Sequence, residues 1–248
     1  MRPTISLACI LKNEFENLPI LLESVRDCFD EIHLTDTGST DGSIELIRSY
    51  ELSPNPANSK VFLHHFDWVD DFAAARNYSF SHVKTDYVMW MDLDDVLSDR
   101  AKFIKWRDTV MKLADFWVGT YNYAFDKGIP ICSFARERVV STKHQFKWNY
   151  FIHEGMACIS ESNLPIRTQY AHTWSVDHRR TQEDAAKDQS RNISIIEKKI
   201  AEGQKLAPRM MYYYGKELFE NKRNEEAAKW LLEATSCEDL ELHDRIMG

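Results

Sequence analysis

The chain has 248 residues, enough for one α/β domain with a small appendage or for two small domains. Hydrophobic residues make up 44% and charged residues 28%, which are ordinary globular proportions and exclude a disordered or fibrous protein. The 39 acidic residues outnumber the 31 basic ones, so the formal net charge is −8 and general nucleic-acid binding is disfavoured.

The sequence gives no sign of a membrane span or a secretory leader. No apolar run approaches the ~18 residues that a transmembrane helix needs. Residues 5–11 are apolar but run directly into Lys12 without a cleavage signature, which favours a buried strand over a signal peptide. The five cysteines are widely spaced without a Cys-x-x-Cys pair, so we expect reduced, mostly buried thiols in a cytoplasmic protein.

Strand and helix patterns alternate through the first 113 residues. This alternation predicts a mostly parallel sheet with helices on both faces. The predicted strands are residues 5–11, 31–35, 61–66 and 87–91, and the predicted helices are residues 17–28, 43–50, 72–81 and 101–113. Three further strands, at residues 116–125, 131–136 and 157–159, follow without helices between them and predict a mixed second half of the sheet.

The last part of the chain has a helical pattern. Pro208 suits the start of one helix and Asn224 the cap of the next. Small residues stand where one tetratricopeptide-like helix pair would need them, at Gly215, Ala227 and Ala234. We therefore predict a first domain of residues 1–178 and a helical tail of residues 179–248, which packs on the first domain or continues in repeats beyond Gly248.

Three carboxylates, Asp92, Asp94 and Asp95, directly follow the predicted strand 87–91. In open α/β sheets, ligands bind beyond the carboxyl ends of the strands. Clustered carboxylates repel one another unless a cation lies between them, and oxygen ligands suit Mn²⁺ or Mg²⁺, which bridge phosphate oxygens. The alternative is a helix cap beside solvated loop acids, but the position directly after an apolar strand favours a cation site.

Two more segments carry candidate binding groups. The loop 36–42 follows the second predicted strand and combines Asp36 with two glycines that allow close backbone approach. An aspartate there could accept a hydrogen bond from a ribose hydroxyl or a base imide, although such loops also form ordinary turns. In the segment 70–77, three alanines precede Arg76 and Asn77, which would offer hydrogen-bond donors at a fixed place on a helix. The alternative for Arg76 is a surface salt bridge to an acidic residue.

Taken together, four segments resemble glycosyltransferase family 2, the inverting GT-A transferases that use nucleotide sugars. The matching residues are the opening strand with Asn13-Glu14, the loop Asp36-Thr37-Gly38-Ser39-Thr40-Asp41-Gly42, the Ala75-Arg76-Asn77 segment and the Asp-x-Asp motif Asp92-Leu93-Asp94. The resemblance implies a GT-A fold, which is Rossmann-like α/β, followed here by a small α-helical region.

The resemblance also implies roles for individual side chains. Asp36 and Arg76 would contact the nucleotide base, and Glu14 would lie near the ribose. Asp92 would contact the ribose or sugar and the metal, Asp94 would bind the metal on the diphosphate, and Asp95 is a second choice of ligand.

The second half resembles a subset of that family with a tetratricopeptide-like tail. On this resemblance Glu154 is the expected base that deprotonates the acceptor, and His153 is the alternative. His172 is expected to bind the metal or diphosphate, unless it packs in the core against Trp174. Two cations on one helix face, Lys187 and Arg191, would face the phosphates or form a solvated surface.

These features predict a metal-dependent hexosyltransferase that uses a nucleotide-diphosphate sugar, with UDP favoured, and a glycan, lipid-linked or peptide acceptor. The competing reading is an inactive scaffold that binds a protein partner through its helical tail. A nucleotidyltransferase would want a glycine-rich, basic phosphate loop near the first strand, and Lys12-Asn13-Glu14 is no such loop.

Overall fold

The computed structural model of the protein describes residues 2–52, 54–159, 165–179 and 182–236, without the side chains of residues 182–189. The strands in this range are β1 (Ile5–Leu11), β2 (Glu31–Asp36), β3 (Lys60–His65), β4 (Tyr87–Trp90), β5 (Asp95–Leu97), β6 (Phe116–Asp126), β7 (Ile129–Ser141), β8 (Phe146–Asn149), β9 (Gly155–Cys158) and β10 (Thr168–His178). The helices are α1 (Asn17–Ser24), α2 (Ser43–Leu52), α3 (Phe72–Ser81), α4 (Arg100–Thr109), α5 (Gln182–Ala201), α6 (Pro208–Glu220) and α7 (Asn224–Ser236).

Eight strands form one sheet in the order β3-β2-β1-β4-β7-β6-β10-β5, and β8 pairs with β9 apart from it. The first four strands along the chain run parallel to one another. Strand β10 is parallel to β6, whereas β7 is antiparallel to β4 and β6, and β5 is antiparallel to β10. The predicted α/β class, with a mostly parallel sheet and a mixed second half, is confirmed.

Strand β1 lies between β2 and β4 in the parallel part of the sheet and is buried on both faces. Its even- and odd-numbered residues are alike buried, as expected of a strand covered by helices on both sides of a parallel sheet. Helix α1 packs on the core through Leu18, Leu21 and Leu22, which are fully buried. It ends at Ser24, four residues before the predicted end, and the following turn contains Asp27 in a left-handed conformation (φ 62°).

The second half differs most from the sequence prediction. Strand β7 covers Ile129–Ser141 instead of residues 131–136, and strands β5, β8 and β10 were not predicted. Their mixed polar and apolar residues lack the continuous apolar run that marks the buried parallel strands. The predicted helix 101–113 is also shorter, because α4 stops at Thr109 and a short 3-10 helix covers Met111–Leu113.

Two compact units make up the chain. The first contains the residues up to Val69 together with Ala73–Asn149 and Met156–Arg179, and holds the eight-stranded sheet. The second contains Asp70–Phe72, Tyr150–Gly155 and the helical residues that follow. Compactness does not establish independent folding, so the domains 1–178 and 179–248 stay a prediction.

Close packing of α6 against α7 defines the helical part of the second unit. Gly215 of α6 is essential to this packing, since a Cβ there would lie 2.6 Å from Leu231 Cγ. Ala227 and Ala234 of α7 are buried, as their predicted small-residue positions require. The tetratricopeptide-like character of the pair stays a prediction.

The cysteines described by the structure are free thiols. Cys9 and Cys28 are buried, and burial raises the pKa of Cys28 to about 12. Cys132 is exposed and Cys158 is half-buried, so the expectation of mostly buried thiols holds for only part of the set. Among the described residues, no helix combines the length and apolar character that crossing a membrane requires.

Gly119 of β6 provides a test of the packing around the second half of the sheet. A Cβ at this position would lie 3.0 Å from the Trp174 ring and 3.2 Å from Arg138 Cγ. We predict that Gly119→Ala lowers stability by about 1–3 kcal/mol, because the indole must shift in a close-packed core. The thermal midpoint should fall by about 2–4 °C for each kcal/mol.

Gly155→Ala is the matched control, since the nearest atom to its added Cβ, Arg209 Nη2, lies 3.9 Å away. An equal loss of stability in both variants would contradict the packing described for Gly119.

Candidate active site

The candidate site begins where the parallel strands end. Loops that follow β1 and β2 are tied together at this edge of the sheet by hydrogen bonds from backbone to side chain. The backbone N–H of Asn13 donates to Ser39 Oγ at 2.8 Å, and the N–H of Thr40 donates to Asn13 Oδ1 at 2.8 Å. The N–H of Glu14 donates to Ser43 Oγ at 3.0 Å, which fixes Glu14 beside the start of α2.

Asp36 organises the loop after β2. Its carboxylate is buried and accepts the backbone N–H groups of Gly38 and Ser39, each at 3.0 Å. Gly38 has a φ of 109°, a left-handed conformation that favours glycine. The side chain predicted to contact a nucleotide base is therefore held in place by its own loop, and its contact with a base stays a prediction.

Arg76 and Asp92 form a partly buried ion pair at the end of β4. Helix α3 brings Arg76 close to the sheet because Ala73 and Ala75 are small and buried. Arg76 Nη2 lies 2.8 Å from Asp92 Oδ1, and its guanidinium lies over the Trp90 ring at 4.6 Å. Burial raises the pKa of Asp92, but the charge and hydrogen bond of Arg76, together with the charges of Arg138 and His178, outweigh burial and hold that pKa below its ordinary value.

Asp95 is the most enclosed of the three carboxylates, with a side chain that is 0% exposed. Its Oδ1 accepts from the Tyr121 hydroxyl at 2.9 Å and from His178 Nδ1 at 3.1 Å. Its Oδ2 accepts from the Asp92 N–H at 3.2 Å and lies 3.6 Å from Arg138 Nη1. These contacts gather residues from four strands or strand ends around one carboxylate.

Asp94 lies between this buried network and solvent, with a side chain that is 32% exposed. Burial, together with the charges of Asp92 and Asp95, raises its pKa to about 7. His178 Nδ1 lies 3.8 Å from Asp94 Oδ1. Burial would lower the pKa of His178, but its hydrogen bond to Asp95 and the charge of Asp94 raise it above the ordinary value.

The donor atoms at this position suit a divalent cation. One ligand atom from each of Asp94, Asp95 and His178 lies within 4.8 Å of the other two. Carboxylates with an imidazole are a donor set that Mn²⁺ accepts, and carboxylates alone also suit Mg²⁺. The residues present therefore fit the cation that the sequence pattern predicted.

The histidine at this cluster is His178, and not the predicted His172. His172 lies six residues earlier on β10, where it is exposed and stacks on Tyr170 with ring centroids 5.8 Å apart. It does not pack in the core against Trp174 either, so that alternative is wrong, and a diphosphate contact by His172 stays a prediction. A shift of register between Ala171 and Ser175 separates the two histidines along the strand.

His153 and Glu154, the predicted bases, belong to the second unit. His153 has a left-handed backbone (φ 49°), and its Nε2 lies 2.9 Å from Glu217 Oε1. Its ring also stacks on Tyr213 at 4.2 Å. Glu154 is half-buried. Both roles stay predictions.

Of the two cationic side chains predicted on the long helix, the structure describes that of Arg191 but not that of Lys187. Arg191 is exposed, belongs to the second unit, and places its guanidinium 4.9 Å from the centre of the Phe72 ring. Lys187 belongs to residues 182–189, whose side chains lie outside the described part of the protein. A phosphate contact by either side chain stays a prediction.

Two tryptophans of the first unit, Trp148 and Trp174, are core residues. Trp148 is 1% exposed and packs edge-to-face on Trp90, while Trp174 is 3% exposed and packs on Phe103 and Trp106. Their faces are therefore covered by other side chains and are not available to stack on a sugar.

Sequence reasoning missed three members of the Asp95 network: Tyr121, Arg138 and His178. A signal for His178 was present, because Trp174, Val176 and His178 form a period-two pattern typical of a strand. A strand ending at residue 178 would have placed this histidine at the end of the sheet. Arg138 directly precedes Val139-Val140, and nothing local distinguishes it from an exposed strand residue.

Comparison with known proteins finds similarity mainly in the first part of the chain. Residues 6–126 match the model of glycosyl transferase family 2. A TPR repeat-containing protein of Synechococcus elongatus is 37% identical over 93 residues, covering 38% of this chain and 21% of that protein. Glycosyltransferase SunS of Bacillus phage SPbeta is 29% identical over 100 residues, covering 40% and 22%. The chain thus matches only about a fifth of the length of these curated relatives.

Solved structures show the same fold at low sequence identity. Mannosyltransferase PcManGT from Pyrobaculum calidifontis, in complex with GDP-Man and Mn²⁺, has a TM-score of 0.53 at 12% identity, covering 100% of this chain and 79% of that one. TarS residues 1–349 from S. aureus, in complex with UDP-GlcNAc, has a TM-score of 0.52 at 10% identity, covering 98% and 77%. The match of residues 6–126 to the glycosyl transferase family 2 model confirms the resemblance seen in the sequence.

Proposed function

We propose that this protein is a metal-dependent, inverting glycosyltransferase. It would move a sugar from a nucleotide-diphosphate sugar, with a UDP-sugar favoured, to a glycan, lipid-linked or peptide acceptor. The observation that carries the proposal is the group formed by Asp94, Asp95 and His178 beyond the carboxyl end of β4. Ligands of open α/β sheets bind at this edge, and the donor set suits Mn²⁺ or Mg²⁺.

Each part of the site has a function in such a reaction. A bound cation would stabilise the negative charge of the departing diphosphate. Asp94, the most accessible carboxylate of the cation cluster, would face the diphosphate side. Asp92 stays oriented by Arg76, and Asp36 and Glu14 lie at the neighbouring strand ends, where the nucleoside would bind.

The solved structures support a nucleotide-diphosphate sugar as the donor, but they do not determine which nucleotide base it carries. PcManGT was solved with GDP-Man and Mn²⁺, and TarS with UDP-GlcNAc. Both donors are nucleotide-diphosphate sugars, so they share the group that a cation at the acidic cluster would bind. UDP remains our proposal for this chain on the family resemblance.

Inverting transfer also requires a base for the acceptor. The base takes the proton of the acceptor hydroxyl or thiol as that atom bonds to the anomeric carbon, and the bond from this carbon to the diphosphate oxygen breaks. Glu154 is the proposed base and His153 the alternative. The variants Glu154→Gln and His153→Gln would show which residue is the base, because loss of the base abolishes transfer.

A binding experiment tests the donor proposal without knowledge of the acceptor. We predict that UDP with Mn²⁺ raises the thermal midpoint, whereas UDP without metal raises it less. A ligand present at 100 times its Kd stabilises the folded state by about 2.7 kcal/mol. For a protein of this size this corresponds to a shift of about 5–10 °C.

GDP and dTDP are the controls that test which nucleotide base is preferred. Asp94→Asn should abolish the metal-dependent part of the shift in thermal midpoint. The absence of a shift with every diphosphate would contradict the proposal. It would favour the inactive scaffold, and peptide partners of the helical tail would then be sought.

Burial of Asp94 and repulsion by its neighbours in the metal-free cluster give a second prediction. The pKa of Asp94 is about 7 in the folded protein, against an ordinary value of 3.8. The folded state therefore binds this proton more tightly between these values, so the Asp94 contribution to stability falls as the pH rises through the window. We predict that Asp94→Asn melts above the wild type at pH 8 without metal, and that the difference vanishes toward pH 4.

Scanning calorimetry in the presence of a chelator would measure both midpoints. Asp126→Asn, which neutralises an exposed carboxylate at the end of β6, is the matched control and should show no such pH-dependent difference. A variant that is less stable than the wild type at pH 8 would show that the ionised Asp94 carboxylate is not destabilised by burial and by its acidic neighbours. The same Asp94→Asn variant should lose at least ~100-fold in sugar transfer.

A further inference from the structure

Glu217 of α6 is a buried carboxylate that joins three parts of the second unit. Its Oε1 lies 2.9 Å from His153 Nε2, in the segment Tyr150–Gly155, and 2.8 Å from Asn192 Nδ2 on α5. Its Oε2 is buried and has no hydrogen-bond partner among the residues that the structure describes. The titratable side chain that these contacts bring to Glu217 is His153.

The contact with Glu217 determines which nitrogen of His153 carries the hydrogen. An ionised carboxylate only accepts hydrogen bonds, so His153 Nε2 donates its hydrogen to Glu217 Oε1. In the neutral ring the other nitrogen, Nδ1, then carries the lone pair. Within the described part of the chain Nδ1 forms no hydrogen bond, and the His153 side chain is 29% exposed. Nδ1 is therefore the atom of this ring that can take up a proton.

The surroundings of Glu217 favour a positive charge on the neighbouring imidazole. Burial of an ionised carboxylate is costly unless a charge or hydrogen bonds compensate it, and one oxygen of Glu217 has no donor among the described residues. When Nδ1 takes up a proton, His153 becomes an imidazolium whose charge lies next to this carboxylate. A carboxylate that holds a histidine in one tautomer and stabilises its imidazolium makes that histidine an effective base.

Further contacts hold the ring and the backbone of His153 in place. The ring stacks on Tyr213 of α6 with centroids 4.2 Å apart and planes inclined by 13°. Arg209 Nη2 donates to the His153 carbonyl at 3.3 Å. Both Tyr150 and His153 have a left-handed backbone, with φ of 69° and 49°, which is uncommon in residues other than glycine and concentrated at functional sites. The imidazole is thus oriented by helix α6 on one side and by its own segment on the other.

We infer that Glu217 is a positioning residue, which holds His153 in the Nε2–H tautomer so that Nδ1 takes the proton of the acceptor. The inference rests on the proposed function, and it favours His153, the alternative base, over Glu154. In the transfer the acceptor oxygen bonds to the anomeric carbon while its proton passes to Nδ1. The bond from this carbon to the diphosphate oxygen breaks, and its electron pair leaves with the diphosphate. Helix α6 of the tail would then take part in the reaction.

Nitrogen-15 NMR of the His153 ring at pH 8 tests the pairing without any substrate. We expect the hydrogen on Nε2 in the wild type, with the resonances assigned by comparison with His153→Gln. Glu217→Gln removes the charge and offers the ring both an acceptor and a donor, so the Nδ1–H tautomer should also become populated. A wild type with the hydrogen on Nδ1 would overturn the inference, since Glu217 would then be protonated and would donate to Nε2.

Hydrolysis of nucleotide sugars tests the role in the reaction, because water can replace the unknown acceptor. UDP-glucose, UDP-GlcNAc and GDP-Man are the donors, with Mn²⁺, and release of the nucleoside diphosphate is measured. We expect Glu217→Gln to lower kcat at least ~10-fold with the KM for the donor unchanged, and His153→Gln to lower kcat by ~100-fold or more. If Glu217 were only structural, Glu217→Gln would lower the thermal midpoint but leave kcat unchanged below it, which would overturn the inference.

Glu197→Gln is the matched control, because it makes the same change from carboxylate to amide in the second unit. Glu197 Oε1 accepts from Arg223 Nη1 at 2.6 Å and from the Tyr214 hydroxyl at 3.3 Å. This variant should change neither kcat nor the tautomer of His153.

The two proposals fail in different ways. A wild type that hydrolyses a donor, with Glu154→Gln inactive and Glu217→Gln fully active, would overturn the inference and leave the transferase proposal intact. A wild type that neither binds a nucleoside diphosphate nor releases one from these donors would contradict the proposed function itself.

Discussion

Compensation of negative charge at the end of β4 is the constraint on which the site depends. Three carboxylates stand within four residues of the chain, and like charges so close together disfavour ionisation when they are buried. Arg76 neutralises Asp92 from helix α3, and Arg138 faces Asp95 from strand β7. Asp94 has no such arginine within these contacts, and its pKa is the one that rises. The fold thus leaves its least compensated carboxylate on the accessible side of the cluster.

The mixed second half of the sheet provides this compensation. The parallel strands β1–β4 bring the acidic loop and the Asp36 loop to one edge, as in other open α/β sheets. They supply acids but not the groups around Asp95. Antiparallel β7 contributes Arg138, β6 contributes Tyr121, and β10 returns to pair with β5 so that His178 lies opposite Asp95. The late strands convert a row of carboxylates into a specific arrangement of donors and acceptors.

Local patterns predicted the first half of this architecture well, because buried parallel strands are continuous apolar runs followed by glycine-rich loops. Asp36, Arg76, Asp92 and Asp94 stand out as candidates because each directly follows or lies within such a pattern. His178 could not be found from the same cues, since its role depends on the pairing of β10 with β5, a long-range contact. His172 was chosen from a local motif, and the register shift in β10 separates it from the cluster. Which side chains are brought together by strand pairing depends on the strand register, and the sequence alone does not specify that register.

The pairing of Asp95 with His178 joins positions 83 residues apart in the chain. Closing a loop of that length carries an entropic cost, and contacts of such separation are expected to form late in folding. The carboxylates are synthesised first, and their histidine arrives only after β6, β7 and β10 have been made. During translation, a nascent chain that already exposes the Asp-x-Asp segment would therefore lack its imidazole. The proposed cation site would therefore be complete only after the sheet of the first unit has formed.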